Sequence, residues 1–284
     1  MHEAAVMGRA AGENFPVASR VLPARARAHL LALYGFARLA DEIGDAPAGG
    51  SGERLAARER LAALDELEAE LDRACAGRAR EPLMARLSAT IAECELAREP
   101  FARLIEANRM DQRVSSYDTW EQLAGYCELS ANPVGELVLG VFGLATPERI
   151  ARSDEICTAL QLAEHCQDVA EDLALGRVYL PREDLARFHC EVGRLRDAHA
   201  GPELRAVLAF EVERARELLA RGGALLGMLA RRRERLAVAA FAAGGRAALD
   251  AIEAAGFDVL AGAPRAGKVG RLRALAAMLW ESRR

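Results

Sequence analysis

The stretch A-L-Q-L-A-E-H-C-Q-D-V-A-E-D-L-A-L-G-R-V-Y-L-P, Ala159 to Pro181, sets Gln161, Glu164, Asp168 and Asp172 among apolar residues at helical spacing. Three of these acids stand four residues apart. On a continuous helix they form one stripe, with Gln161 at its upper end and Glu171 beside it. Like charges so placed repel one another and destabilise the helix unless cations or arginines neutralise them. A solvated face is the ordinary explanation for one such run, but the chain holds two. In Y-G-F-A-R-L-A-D-E-I-G-D, Tyr34 to Asp45, Asp41 and Asp45 are one turn apart, Arg38 a turn before Asp41 and Tyr34 a further turn back. Two helices offering such stripes to each other would make a cage of hard oxygen ligands. That donor set suits Mg²⁺, which takes carboxylates together with substrate phosphate oxygens and water. Arg38 would add a charge-assisted contact to a diphosphate.

Other residues carry weaker signals. Phe15, Tyr34, Phe36, Tyr126 and Tyr179 are candidates for the wall of an apolar cavity, with plain core packing the competing reading. His165 follows Glu164 directly and so points some 100° away around the helix, which favours a structural role over metal ligation. The run R-G-G-A-L-L-G at 221–227 lies in a helical stretch with no strand before it, so it does not read as a phosphate loop. Arg231, Arg232 and Arg233 read as a solvated helix edge, with attraction to an anionic membrane surface as the alternative.

The elements that must position these residues are helical. Aromatic content is 5%, alternating β-branched runs are absent, and Ala, Leu, Glu and Arg are abundant. The pattern predicts an all-α chain with helices over 24–43, 53–75, 82–97, 99–113, 118–130, 133–142, 147–175, 203–228, 231–255 and 268–282. The breaks between them are too short for domain linkers, so one domain over 1–284 is expected. Pro133, in C-E-L-S-A-N-P-V-G-E-L-V, forces a bend or a restart. That break is either a simple turn or a kink that opens room for a long apolar ligand.

Composition sets the outer bounds. The 284 residues hold 51% hydrophobic residues and carry a formal net charge of −4. Such a balance gives no reason to expect a nucleic-acid partner. Six cysteines stand singly, without a C-x-x-C pair, and read as reduced core thiols. No run of 18 apolar residues exists. A cytoplasmic chain, at most peripherally attached at the inner face of a membrane, is the expectation; oligomeric state is not legible.

Taken in order, these motifs resemble the squalene/phytoene synthase family, the head-to-head trans-prenyltransferases. The resemblance runs from Glu13 to about Lys268. It rests on E-N-F-P-V-A-S-R-V-L-P, Y-G-F-A-R-L-A-D-E-I-G-D, M-D-Q-R followed by Y-C-E-L-S-A-N-P-V-G, and the acidic stretch ending in G-R-V-Y-L-P. It implies the isoprenoid synthase fold, a single helical bundle around a central cavity. It also implies Mg²⁺ held by Asp41, Asp45, Asp168 and Asp172, and an isoprenoid diphosphate as substrate. Phe15, Arg38, Tyr126, Gln161 and Arg177 fall on motif positions that touch the diphosphate or the hydrocarbon in the family.

The second motif departs from the family's usual N-x-x-R-D, holding Glu164 and Gln167 in its place. Glu164 thereby becomes a further candidate ligand, and Gln167 changes the charge beside the diphosphate. Together with the N-F-P-V-A-S opening, this resembles the branch that turns presqualene diphosphate into hydroxysqualene by water capture, in hopanoid biosynthesis. The water could be positioned by Glu164, His165 or Gln167. Two alternatives stand beside this reading: condensation of two farnesyl or geranylgeranyl diphosphates, and a non-catalytic scaffold relative. No dinucleotide fingerprint is present to hold a hydride donor.

Overall fold

The computed structural model describes residues 22–47 and 53–281. Twelve α-helices are found among them: α1 Ala24–Gly44, α2 Glu53–Cys75, α3 Pro82–Cys94, α4 Glu99–Met110, α5 Trp120–Ser130, α6 Asn132–Val141, α7 Pro147–Gln167, α8 Val169–Ala174, α9 Arg182–Arg187, α10 Pro202–Gly222, α11 Arg232–Ala254 and α12 Lys268–Glu281. Short 3₁₀ turns follow at Val192–Arg196 and Gly223–Met228. The described residues form no β-strand, only one isolated bridge between Ser116 and Val178. The all-α expectation holds.

Local chemistry accounts for most helix starts. Proline occupies the first turn of α3, α4, α6, α7 and α10, where its fixed φ suits the helix and its missing N–H costs nothing. Thr119 and Thr146 cap α5 and α7 by accepting from the backbone N–H of Gln122 and Arg149.

Helix α7 is the axis of the bundle and is packed by α5, α6, α10 and α11. Its Ala159, Leu162 and Cys166 are wholly buried. Two neighbours approach it through glycine. A Cβ on Gly135 of α6 would fall 2.2 Å from Ser153 Oγ, and one on Gly245 of α11 would fall 2.2 Å from Leu160 Cδ2. A larger residue there would force these side chains, or the helices carrying them, to shift. On the other side, α1 packs on α4 through Phe36 and Phe101, edge to face at 5.3 Å and both fully buried. Each such ring contributes about 1.5–3 kcal/mol through burial. Phe36 is therefore core.

Between α5 and α6 the chain restarts at Ala131, and Thr158 Oγ1 of α7 donates to Asn132 Oδ1 at 3.0 Å. Ser130, Ala131 and Val134 around this break line a cavity of about 240 Å³ enclosed by α1, α6, α7 and α11. The cavity thus lies beside the break at which α6 restarts. A larger concavity of about 800 Å³ lies at the far end of α1 and α6, where Arg231, Arg232 and Arg233 form part of its rim beside Arg25 and His29. None of the described candidate site residues lines it.

Four expectations need correction. The helix foreseen over 147–175 breaks at Asp168, whose φ/ψ of −101/20 leave the helical region. The helix foreseen to 228 stops at Gly222 and tightens into a 3₁₀ turn. The short helix α9 was not foreseen, because six residues carry too little periodicity to register. Finally, Cys75 is exposed, while Cys127, Cys166 and Cys190 are the buried thiols; all six cysteines are free.

One buried polar cluster belongs to the framework. Arg214 of α10 donates to both carboxylate oxygens of Glu211, at 2.7 Å, and to Asp184 of α9 at 2.9 Å. Its guanidinium lies 4.6 Å over the Trp120 ring. Glu211 is fully buried, and burial, reinforced by Asp184 against the pull of Arg214, pushes its carboxyl up to about 8. With Glu211 protonated the trio carries no net charge.

Candidate active site

The last turns of α1 carry the first acidic stripe. Asn108 of α4 donates from Nδ2 to Asp41 Oδ1 at 3.3 Å, and Arg38 Nη1 stands 4.0 Å from Asp41 Oδ2. Arg38 Nε is buried without a hydrogen-bond partner, as is the hydroxyl of Ser130 in the same cavity wall. Buried donors are normally paired. Two of them at one cavity mark a place where an anionic or polar ligand would be welcome. Asp45, at the C-cap of α1, accepts from Arg177 Nη1 at 2.8 Å. That contact ties the G-R-V-Y-L-P segment to the first stripe.

The second stripe begins on α7 and crosses the break. Gln161 and Glu164 line the cavity opposite Tyr34, Arg38 and Asp41. His165 points elsewhere, as its helical position requires. It is buried, stacks on Tyr179 at 3.9 Å between ring centroids, approaches Gln161 Nε2 with its Nε2 at 3.3 Å, and turns Nδ1 to within 3.9 Å of Asp172 Oδ2. Asp168 and Asp172 keep the i to i−4 backbone bonds across the break, at 2.9 and 2.8 Å. The two acids at the break thus keep their own backbone hydrogen bonds while the helix bends.

Between the two stripes sits a residue that motif reading passed over. Asp111 follows α4 within M-D-Q-R, and both its oxygens accept from tyrosine hydroxyls at 2.8 Å, Oδ2 from Tyr126 and Oδ1 from Tyr179. Arg177 faces it electrostatically. Asp111 also bears on the charge of Asp41. Tyr117 completes the cluster, with ring centroids 5.6 Å from Tyr126 and 5.9 Å from Tyr179. The sequence pattern places Asp111 inside a helix over 99–113, whereas α4 ends at Met110 and the partners of the carboxylate lie 15 and 68 residues away.

The acids here are under strain of charge. Burial, reinforced by Asp45 and Asp111 and opposed by Asn108 and Arg38, raises Asp41 to about 6. Its side chain keeps 49% of its surface open to the cavity, so water softens that penalty. Burial together with Glu171 and Asp172 raises Asp168 to about 6 against the pull of Arg265 and His165. Burial also raises Asp111. Tyr126 and Tyr179 are held protonated, first by burial and then by the charge of Asp111, so both remain donors. For Arg177, burial works against the charge and is outweighed by Tyr179, Asp111 and Asp45.

Of the residues singled out from sequence, Tyr34, Arg38, Asp41, Gln161 and Glu164 meet at the cavity. Asp45, Arg177, Tyr126, Tyr179, Asp168 and Asp172 extend the same end of the bundle around Asp111 and His165. Gln167 is placed differently. It is buried, and its Nε2 donates to the carbonyl of Pro264 in the loop before α12. Phe15 lies outside the described residues. Among the described residues, no three His, Cys, Asp or Glu side chains are gathered into a ready-made metal cage. The donor set still fits a hard divalent cation. Its carboxylates are oxygen ligands whose charge is costly without a cation, and Mg²⁺ uses one or two of them together with phosphate oxygens.

Comparison with known proteins gives this end of the bundle a context. The sequence profile of the squalene/phytoene synthase family matches residues 9–273. The hydroxysqualene synthase of Sinorhizobium fredii is 36% identical over 218 residues, covering 76% of this chain and 71% of that one. The hydroxysqualene synthase of Rhodopseudomonas palustris is 37% identical over 212 residues, covering 74% and 69%. Among solved structures, the squalene synthase HpnC from Alicyclobacillus acidocaldarius superposes with a TM-score of 0.78 at 45% identity, covering 88% of this chain and 92% of that one. One acid from each stripe at a cavity wall, an all-helical bundle and a match over nearly the whole length agree: the chain belongs to the squalene/phytoene synthase family, enzymes that process isoprenoid diphosphates.

Proposed function

We propose that the protein ionises presqualene diphosphate and lets water capture the resulting cation, releasing hydroxysqualene and diphosphate. The observation that carries this reading is one cavity with two unlike ends. Arg38, Asp41, Gln161 and Glu164 stand on its polar rim, while Leu33, Leu137, Val138, Leu160 and Phe241 line the rest. Its similarity to two hydroxysqualene synthases supports the choice of reaction.

Asp41, Asp45, Glu164, Asp168 and Asp172 are the residues that would hold Mg²⁺, and the ion would take up the charge of the departing diphosphate. Arg38, with Nε unspent, would meet a phosphate oxygen. Arg177 keeps the G-R-V-Y-L-P segment closed over Asp45. The carbon–oxygen bond breaks with both electrons leaving on the diphosphate. The apolar wall then shields the cation from bulk water until one water oxygen adds to it and passes its proton to the released diphosphate. Of the three residues considered for placing that water, Glu164 lines the cavity, whereas His165 is stacked behind it on Tyr179 and Gln167 is turned to Pro264. Glu164 is the one we assign.

The test uses presqualene diphosphate, Mg²⁺ and ¹⁸O-labelled water, with and without NADPH. The expected product is an alcohol bearing the label, unchanged in rate and identity by NADPH. An unlabelled product, or conversion to squalene on adding NADPH, would replace this reading with a full squalene synthase.

A further inference from the structure

We propose that α12 is an interfacial helix that seats the protein on an anionic lipid bilayer, beside the second acidic stripe. Among the described residues six large hydrophobic side chains are exposed, and three of them, Val269, Leu272 and Trp280, belong to this one helix. Their exposures are 80%, 67% and 61%. With exposed Ala276 they recur at i, i+3, i+7 and i+11, which makes a single stripe along the helix. The opposite face is spent on the fold, where Ala274 and Met278 are buried and α12 packs on α11. An apolar stripe backed by a packed face, rather than scattered single residues, signals a surface that something covers.

Charge says what covers it. Residues 265–284 hold six arginines and lysines and one acid, in a chain whose net charge is −4. The one acid, Glu281, is engaged by Arg246 at 2.9 Å. Lys268 and Arg273 are exposed on either side of the stripe. A helix with apolar residues on its outer line, cations flanking them and a tryptophan among them is the composition of an element lying in a membrane interface. Tryptophan prefers that depth, and each nearby cation gains from an anionic leaflet. Spanning is a separate matter: no described helix is long and apolar enough to cross a membrane.

The position of α12 gives the contact a use. The loop before it brings the Pro264 carbonyl to Gln167 and sets Arg265 within electrostatic reach of Asp168. The helix therefore starts next to the second acidic stripe. A bilayer held there lies next to the acids assigned above to the diphosphate end of a long-chain substrate. Binding is measured without turnover, so this inference and the reaction proposed above can fail separately.

The experiment is co-sedimentation of the full chain with vesicles of phosphatidylglycerol and phosphatidylcholine in equal parts, and with phosphatidylcholine alone. We expect binding to the anionic vesicles, weakened by high salt, and little to the neutral ones. The double variant Val269→Glu/Leu272→Glu should bind at least about tenfold more weakly. Lys268→Gln and Arg273→Gln should each cost about fivefold. As a second readout in a Trp120→Phe background, Trp280 emission should shift to the blue on adding anionic vesicles. Unchanged vesicle binding by the double glutamate variant, unchanged Trp280 emission, or equal affinity for neutral vesicles would overturn the proposal. So would a dimer, formed without lipid, that the double variant dissolves; the stripe would then be covered by a second copy.

Discussion

Acids crowd in two regions of this bundle, and the two treat their charge in opposite ways. At the α9–α10 junction, Asp184 and Glu211 share the guanidinium of Arg214, with Glu211 protonated up to about 8, so the cluster is neutral within the fold. At the last turn of α1 and across the α7–α8 break, Asp41, Asp45, Asp111 and Asp168 face Arg38, Arg177 and Arg265, with Glu164 and Asp172 in the same acidic stripe. The first cluster is complete. Among the described residues the second gathers more carboxylates than guanidiniums, and Arg38 Nε and Ser130 Oγ beside it have no hydrogen-bond partner. A carboxylate cluster neutralised by the protein's own arginine serves the fold, whereas one left in excess is matched to a cation and an anion brought from outside.

Breaking the complete cluster should have the largest effect on stability. Arg214→Ala removes the one cation facing Glu211 and Asp184, and should cost about 3–5 kcal/mol near neutral pH. The loss should shrink in acid, where the two carboxyls can share protons. Urea denaturation at two pH values checks this, and no Mg²⁺ dependence is expected from it.

Breaking the open cluster should do the reverse. Asp41→Asn or Asp168→Asn should lower turnover at least about 100-fold, while the metal-free protein melts no lower than wild type, because like-charge repulsion has been relieved. Turnover and thermal melting are measured on the same sample. A variant that keeps full Mg²⁺-dependent turnover would remove these acids from the site.

A ligand test sharpens the contrast further. Mg²⁺ with inorganic diphosphate, at about 100 times its Kd, should stabilise the wild type by about 2.7 kcal/mol. It should leave the Asp168→Asn variant nearly unmoved. Chelation with EDTA should return the wild type to its metal-free melting temperature.

The smallest effect is a slope with pH. The folded values of Asp41 and Asp168, about 6, lie above their ordinary 3.8, and that of Glu211, about 8, lies above 4.5. A raised carboxyl stabilises the fold while it is protonated, and that contribution is lost as pH climbs from the unfolded value through the folded one. The metal-free protein should therefore lose stability between about pH 4 and 6 through the aspartates and on to about pH 8 through Glu211. Glu211→Gln should flatten the upper part of this slope, and Asp41→Asn the lower part.

Most of this architecture was legible beforehand, because its punctuation is chemical. Pro82, Pro133, Pro147 and Pro202 mark helix starts by their own geometry, and helical spacing fills in between. The cavity pairing of Arg38 and Asp41 with Gln161 and Glu164 was legible for the same reason, since each pair stays on one face of its helix. What escaped depends on packing at long range. The break at Asp168 carries no proline or glycine to announce it. Gln167 belonged by spacing to the acidic segment, yet a loop almost 100 residues later claims its amide. Asp111 reads as an interior residue of a helix over 99–113, and only the hydroxyls of Tyr126 and Tyr179 mark its place in the site.

The central claim is that the open cluster serves one isoprenoid diphosphate and a cation, and product analysis reaches it most directly. Purified protein is incubated with Mg²⁺ and either presqualene diphosphate or farnesyl diphosphate, with an EDTA control, and products are identified by mass. The account predicts hydroxysqualene and released diphosphate from presqualene diphosphate, nothing in EDTA, and no coupled product from farnesyl diphosphate. A head-to-head product from farnesyl diphosphate, or turnover that survives EDTA, would contradict it.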